Sequence, residues 1–363
     1  MDKGGRRKVM KEIIVPAEAL RRFVRAALVR SGVRRDVSDL VCEGLVQTSL
    51  RGVDSHGIRL LPHYIKGVKG GRINPDPKYS FKKTSASTGI FDSDHTFGHA
   101  ACIEAAWKAV ALAKEAGTGH VAVYNSSHFG AAAYYTLEIA KHDMIGFGFT
   151  NTDALVKSYD GKRPFLGNNP VSVAVPCKGE EPFCLDMATS VVTFNKIRQM
   201  REGRIPAPPG VGADKDGNDT TDAEKITTLL PIGGYKGYGL SMVIEILCSL
   251  LTGMPYGPHI PKMFEAPMST KRCLGQFISA MRIDCFQDVE SFKERMSVFM
   301  NELRGEPPME QGRPVQVAGD PEKRAYRERS RCGVPLKEVE YAALERLAME
   351  LGLEAEFYGG SDR

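Results

Sequence analysis

Strand-like segments in this chain do not recur at a fixed interval, and that restricts its fold more than any other feature. His120–Tyr124 alternates β-branched with smaller residues, and further short strands are expected at Met144–Thr150, Pro170–Pro176, Phe183–Leu185 and Gln276–Ile283. Helical periodicity marks Ala100–Ala116, Ala131–Lys141, Gly239–Leu251 and Val289–Leu303 between them. A doubly wound parallel sheet repeats a strand–helix–strand unit of roughly 30 residues. The irregular spacing predicts a mixed α/β (α+β) chain of another kind.

The first 78 residues have a different texture. From Pro16 the residues Leu20, Phe23, Val24, Ala27 and Leu28 mark one helix face, closed by Ser31-Gly32. A second helix is expected to open on Asp36 as N-cap and to run through Leu40, Val41 and Leu45 towards Leu50. A polar, glycine-marked stretch follows from Arg51 to Pro77. Residues 304–335, rich in Pro, Gly, Arg and Glu, read as a loop, and Val339–Leu351 as a final amphipathic helix. The chain divides on this reading into 1–78, 79–304 and 305–363. At 363 residues and 42% apolar composition it can bury a core without staples, which excludes disorder as its main state.

Charge and cysteine usage exclude other classes. The net charge of +5 owes much to Lys3, Arg6, Arg7, Lys8 and Lys11, a basic head that reads as a frayed end rather than a nucleic-acid patch. Cys42, Cys102, Cys177, Cys184, Cys248, Cys273, Cys285 and Cys332 include no CxxC pair. Cys42, Cys102 and Cys248 lie in apolar runs and read as core residues, which suits a reducing compartment. No apolar signal segment opens the chain, and the longest apolar run, Gly239–Met254, is too short to span a bilayer and contains Glu245. The expectation is a cytoplasmic protein without nucleic-acid or membrane partners.

Four polar clusters could carry chemistry. In Arg51-Gly-Val-Asp-Ser55-His56-Gly-Ile-Arg59, a helix after Gly57 puts His56, Arg59 and His63 on one face. An imidazole there can move a proton to a developing alkoxide, a guanidinium can hold a carboxylate, and Ser55 can orient the ring. A solvated loop with Ser55 as a helix cap explains the same residues. Asn125-Ser-Ser-His128-Phe129-Gly130 stands at a strand-to-helix junction whose backbone amides attract anions, or is a capped turn. Asp186 in Leu185-Asp-Met187-Ala188-Thr-Ser190 can hold ribose hydroxyls or a carboxamide, or cap a helix. Lys236, among the glycines of Gly233-Gly-Tyr-Lys-Gly-Tyr-Gly239, suits an anion at a helix N-terminus. No GxGxxG in a strand–helix context, GxxxxGK[ST], GxSxG or HExxH is found, so no metal site is expected.

Taken in order, Arg51-Gly-Val-Asp-Ser-His-Gly with Tyr64, Ser127-His-Phe-Gly130, Leu166-Gly-Asn-Asn-Pro170, Asp186-Met-Ala-Thr189, Asp216-Gly with Thr220-Thr-Asp222, and Lys236-Gly-Tyr-Gly-Leu240 resemble the malate/L-lactate dehydrogenase family that lacks a Rossmann domain. The resemblance spans roughly residues 12–355. Tyr235 before Lys236 and Ala318 before Gly319 depart from its pattern.

The resemblance implies a mixed or largely antiparallel central sheet with a helical portion built from both chain ends, so that 1–78 packs with 305–363. It implies a homodimer transferring hydride between NAD or NADP and a small 2-hydroxy acid. By motif, His56 becomes the proton donor with Ser55 as relay, and His128 the second candidate. Arg59, Tyr64 and Thr152 fall on the substrate. His128, Phe129, Gly130, Asp186, Met187, Ala188, Lys236, Gly319, Glu322 and Lys323 fall on the cofactor. A cyclic-imine carboxylate reductase and a non-catalytic dinucleotide-binding protein are the alternative readings.

Overall fold

The computed structural model describes residues 12–354 and 357. The basic head at Lys3–Lys11 lies outside them.

Helices from the two chain ends share one core. α1 (Ala17–Arg30), α2 (Arg35–Leu50) and α3 (Leu61–Lys69) meet α10 (Glu338–Leu351), and Leu20, Phe23, Leu45, Tyr64, Leu344 and Leu347 close the space between them. β1 (Glu12–Val15) pairs antiparallel with β13 (Val334–Lys337), stitching the two ends together. α2 opens at Arg35, one residue before the expected start, and Asp36 does not cap it. Its carboxylate instead receives the Arg34 guanidinium, Nε at 2.7 Å and Nη2 at 3.0 Å. A forked cation is a stronger partner for a carboxylate than a backbone amide.

The central layer is a seven-stranded sheet in the order β2 (Ser80–Lys83), β3 (Thr88–Asp92), β4 (Thr118–Ser126), β12 (Leu274–Arg282), β5 (Met144–Thr150), β8 (Val171–Val175), β9 (Phe183–Met187). Only β3 and β4 run parallel; every other pair is antiparallel. α4 (Gly98–Ala116) and α5 (Ala133–Ala140) cover one face, packing on Val121, Val123, Ile278 and Ala280. α4 comes so close that a Cβ on Gly119 would meet the Ala109 carbonyl at 2.0 Å. Cys42, Cys102 and Cys248 are all buried.

α7 (Tyr235–Glu245) covers the opposite face, where Ile244 and Cys248 meet Phe149, Val173 and Phe277. It begins four residues before the expected helix, because Gly233 and Gly234, both at positive φ, end the preceding turn. It then widens to a π-helical turn at Ile246–Leu250.

A smaller sheet runs β10 (Gly212–Ala213), β11 (Thr228–Leu229), β6 (Val156–Lys157), β7 (Pro164–Leu166), with α6 (Phe194–Glu202) against it through Ile197, Val211, Ile226 and Leu229. α8 (Val289–Gly305) is capped by Asp288, which accepts from the Ser291 amide at 2.9 Å.

The expected 304–335 loop contains a helix, α9 (Asp320–Cys332). Its sequence is polar on every side, so periodicity gave no signal. Tertiary ion pairs hold it instead: Asp320 to Arg304, Lys323 to Glu180 and Arg329 to Asp54. Pro321 is tolerated because the first-turn amide it lacks has no helical partner. Among the described residues no helix is long and apolar enough to cross a membrane.

Candidate active site

The helical layer and the central sheet face each other across a cleft of about 1260 Å³. Its walls come from the end of α2 and the turns after it, the β4–α5 junction, the residues following β5, the end of β9, the start of α6 and the start of α9.

Two imidazoles stand together in this cleft. Ser55 and His56 lie on a single 3₁₀ turn, Asp54–His56, and Gly57 separates it from a second, Ile58–Leu60. The break turns His63 away from the face it was expected to share with His56: its ring packs on Phe264, centroids 5.0 Å apart. Ser55 Oγ meets His56 Nδ1 at 2.8 Å. His128, near the start of the β4–α5 junction, stacks on His56 with centroids 5.5 Å apart and planes 19° from parallel. Its Nδ1 meets the Tyr64 hydroxyl at 2.7 Å. Each ring is therefore held by Nδ1, and each has Nε2 left for a ligand.

Burial governs the charge of both rings. His56 is pushed down to about 4 by its desolvated position, with Arg59 adding to the effect. His128 lies well below the usual imidazole value, first through burial, then through His56, His99 and Arg272. Tyr64 is driven well above the ordinary phenol value by burial, so it keeps its proton in its contact with His128. Behind this pair sits His99, fully buried with neither ring nitrogen partnered among the described residues. Gly130, at φ +74°, passes so near it that a Cβ would stand 2.5 Å from His99 Nε2.

The anion-attracting junction before α5 is already filled. Asp186, at the end of β9, accepts the Ala133 amide at 2.8 Å and caps α5 across the sheet rather than a helix of its own. Although solvent reaches it, desolvation by the surrounding cleft walls, with Glu322 adding to the effect, pushes its carboxyl up to about 6. Phe129 is buried against Tyr135, and its carbonyl accepts the Tyr135 hydroxyl, so its ring belongs to the core. Met187, Ala188, Gly319 and Glu322 line the cleft. Lys323 lines it too, but its ammonium is committed to Glu180 at 2.8 Å.

Arg59 also lines the cleft while giving Nη2 to Asn195 at 3.2 Å and facing Glu340 at 3.7 Å. The Thr152 hydroxyl donates to Asn168 Oδ1 at 2.8 Å. Lys236 does not join this group: it is exposed on the first turn of α7, outside the cleft. Sequence reasoning missed Arg272, which lines the cleft beside Asp153, and Asn195 at the start of α6. Neither stands in a pattern with a chemical meaning of its own.

The cleft is larger than a small acid needs, and its floor near His128 is built of Gly130, Ala131, Ala132 and Ala133, which leaves room for a dinucleotide. Residues 15–345 match the malate/L-lactate dehydrogenase family. A malate dehydrogenase of Pyrococcus abyssi is 32% identical over 94% of this chain and 95% of its own. An L-sulfolactate dehydrogenase of Methanocaldococcus jannaschii is 34% identical over 95% and 99%. The solved structure of sulfolactate dehydrogenase from that organism superposes with a TM-score of 0.88, covering 94% of this chain and 98% of its own at 33% identity. Helices around a mostly antiparallel sheet, a paired-imidazole cleft and these likenesses agree: the chain belongs to the malate/L-lactate dehydrogenase family.

Proposed function

We propose that this chain is a cytoplasmic dehydrogenase that interconverts a small 2-hydroxy acid and its 2-oxo acid with NAD or NADP. When bound, the nicotinamide supplies or takes the hydride at the 2-carbon. Gly130, Ala131, Ala132, Met187 and Ala188 would line it on the sheet side, and Gly319 and Glu322 on the α9 rim.

The observation that carries the reading is the Ser55–His56 couple on the cleft wall. An acid–base group must exchange its proton with solvent after each turnover. His56 reaches the half-buried Ser55 hydroxyl, whereas His128 ends on the fully buried Tyr64. His56 Nε2 is therefore the atom that gives a proton to the carbonyl oxygen in reduction and takes it back in oxidation. With the Tyr64 hydroxyl assigned as donor to Nδ1, His128 carries its hydrogen on Nε2, which makes it a second donor to the same oxygen. An anionic substrate raises both imidazoles from their low resting values, so proton donation is favoured only when it is bound. Arg59 and Thr152 line the same walls on the substrate side.

The outer face of α7 and the π-helical turn that continues it supports a homodimer. Val243, Ile246 and Leu250 are each about half exposed, at 50%, 48% and 58%, on a helix whose inner face is also apolar. Such a helix belongs in an interior, and a second copy of the chain supplies one.

The test is oxidation of NADH and of NADPH against pyruvate, oxaloacetate and sulfopyruvate, with the reverse direction on the hydroxy acids. Wild-type turnover is expected with at least one of them. His56→Ala should lose it while still binding reduced cofactor; full activity in that variant would move the proton transfer to His128.

A further inference from the structure

We infer that Arg272 binds an acidic group of the substrate, a carboxylate or a sulfonate. The inference rests on the hydroxy-acid reading of the cleft and names the residue that recognises the acid.

Several cleft-lining cations are already committed. Arg51 pairs with Glu181, Arg59 with Glu340 and Asn195, and Lys323 with Glu180. Arg201 gives Nε to the Ala223 carbonyl and Nη2 to the Ile226 carbonyl. Arg272 differs. Its side chain is 2% exposed and one nitrogen, Nη2, meets Asp153, while Nε and Nη1 are buried with no partner among the described residues. Buried guanidinium hydrogens without acceptors are costly, and native structures seldom tolerate them unless a ligand completes the set.

The local charge is unbalanced in the same sense. Arg72, also buried, stands near enough to Arg272 to oppose its charge. It donates to the carbonyls of Met263, Ala266 and Pro267. Asp153 is the carboxylate that acts on both guanidinium groups. Two buried cations against one anion leave a net positive charge beside the cleft. A bound monoanionic group neutralises it, and a planar fork holds a carboxylate in a defined orientation.

The backbone presents this side chain at a local departure from regular geometry. Cys273, immediately after Arg272, adopts φ +49°, and the β12–β4 register slips between Leu274 and Gln276. Left-handed geometry at a non-glycine residue is uncommon and concentrates where a side chain has to be aimed. The place is right for chemistry as well, since the Arg272 charge acts on both Tyr64 and His128.

Arg272→Lys keeps the charge and removes the fork; Arg272→Gln keeps a donor and serves if the lysine variant does not fold. Oxamate, an unreactive acid, is titrated by calorimetry into each protein with NADH present, and its neutral amide, oxamide, is the control. Wild type should bind oxamate and not oxamide, and the variants should weaken oxamate about tenfold or more while NADH affinity stays. Parallel KM values separate the two sources of the acid. A rise for pyruvate and oxaloacetate together assigns the carboxylate beside the reacting carbon; a rise for oxaloacetate and sulfopyruvate alone assigns the distal group. Oxamate affinity and KM values equal to wild type in a folded variant overturn the inference, as does a wild type that binds no oxamate. A wild type that reduces no 2-oxo acid, yet loses oxamate on substitution, sinks the proposed reaction and leaves Arg272 as the acid-binding residue.

Discussion

Tyr64→Phe removes one oxygen from the centre of the site and leaves the packing almost untouched. Tyr64 is 1% exposed, its ring rests on Phe97 and His99, and its hydroxyl meets His128 Nδ1 at 2.7 Å. Phenylalanine keeps those ring contacts, so the change isolates the hydrogen bond. His128 Nδ1 then lies buried without a donor, a loss of about 1–3 kcal/mol. Part of it lowers the stability of the folded chain, read as a smaller urea midpoint at constant slope. The rest falls on catalysis, because the imidazole is no longer held with hydrogen on Nε2. Since each 1.4 kcal/mol is about tenfold, kcat/KM should drop roughly 5- to 100-fold. NADH affinity, measured by fluorescence titration, should hold. A variant with the wild-type urea midpoint and the wild-type kcat/KM would refute the argument, since the phenol would then be holding nothing.

With His56 as the proposed base, oxidation of a hydroxy acid needs it unprotonated, and burial has lowered its value to about 4, so the neutral form persists as pH falls from neutrality to that point. The acid limb of kcat/KM should lie near pH 4, and a limb at or above the ordinary imidazole value of 6.5 would contradict the assignment. In kcat, which reports the substrate complex, the limb should move upward, because a bound anion favours the imidazolium. Val243→Asp, on the exposed apolar face of α7, should convert a dimer to monomer by light scattering. An unchanged mass would place any interface elsewhere.

The fold was legible in the sequence where burial follows a period. α1, with Leu20, Phe23, Val24, Ala27 and Leu28 on one face, and β5, with its alternating burial, stand where their patterns place them. α9 was invisible because nothing apolar marks it: its helix exists only once Arg304, Glu180 and Asp54 are in position to receive its charges. The two-residue strands of the small sheet are likewise too short to carry a period.

The site was legible to the extent that its chemistry sits in compact motifs. Ser55-His56 and His128 come together across more than seventy residues of chain, and the stacking that joins them is a tertiary fact. Arg272 left no mark, because its meaning lies in missing partners, which no local pattern records. Lys236 shows the reverse: a glycine-framed lysine promised an anion site and lies outside the cleft on α7.

The layer built from both chain ends has a consequence for synthesis. α1, α2 and α3 are made well before β13 and α10, so the apolar surfaces they share with those elements stay uncovered until residues 334–351 have been made. About 265 residues separate the end of α3 from the start of β13. At common translation rates that interval is on the order of 10–50 seconds, with Leu20, Phe23 and Leu45 open to the wrong partners throughout. The same delay reaches the chemistry, since Arg59 is braced by Glu340 and the turn bearing His56 is tied to α9 through Asp54 and Arg329. A nascent chain can therefore finish its central sheet early, yet its cleft is braced only when α10 docks.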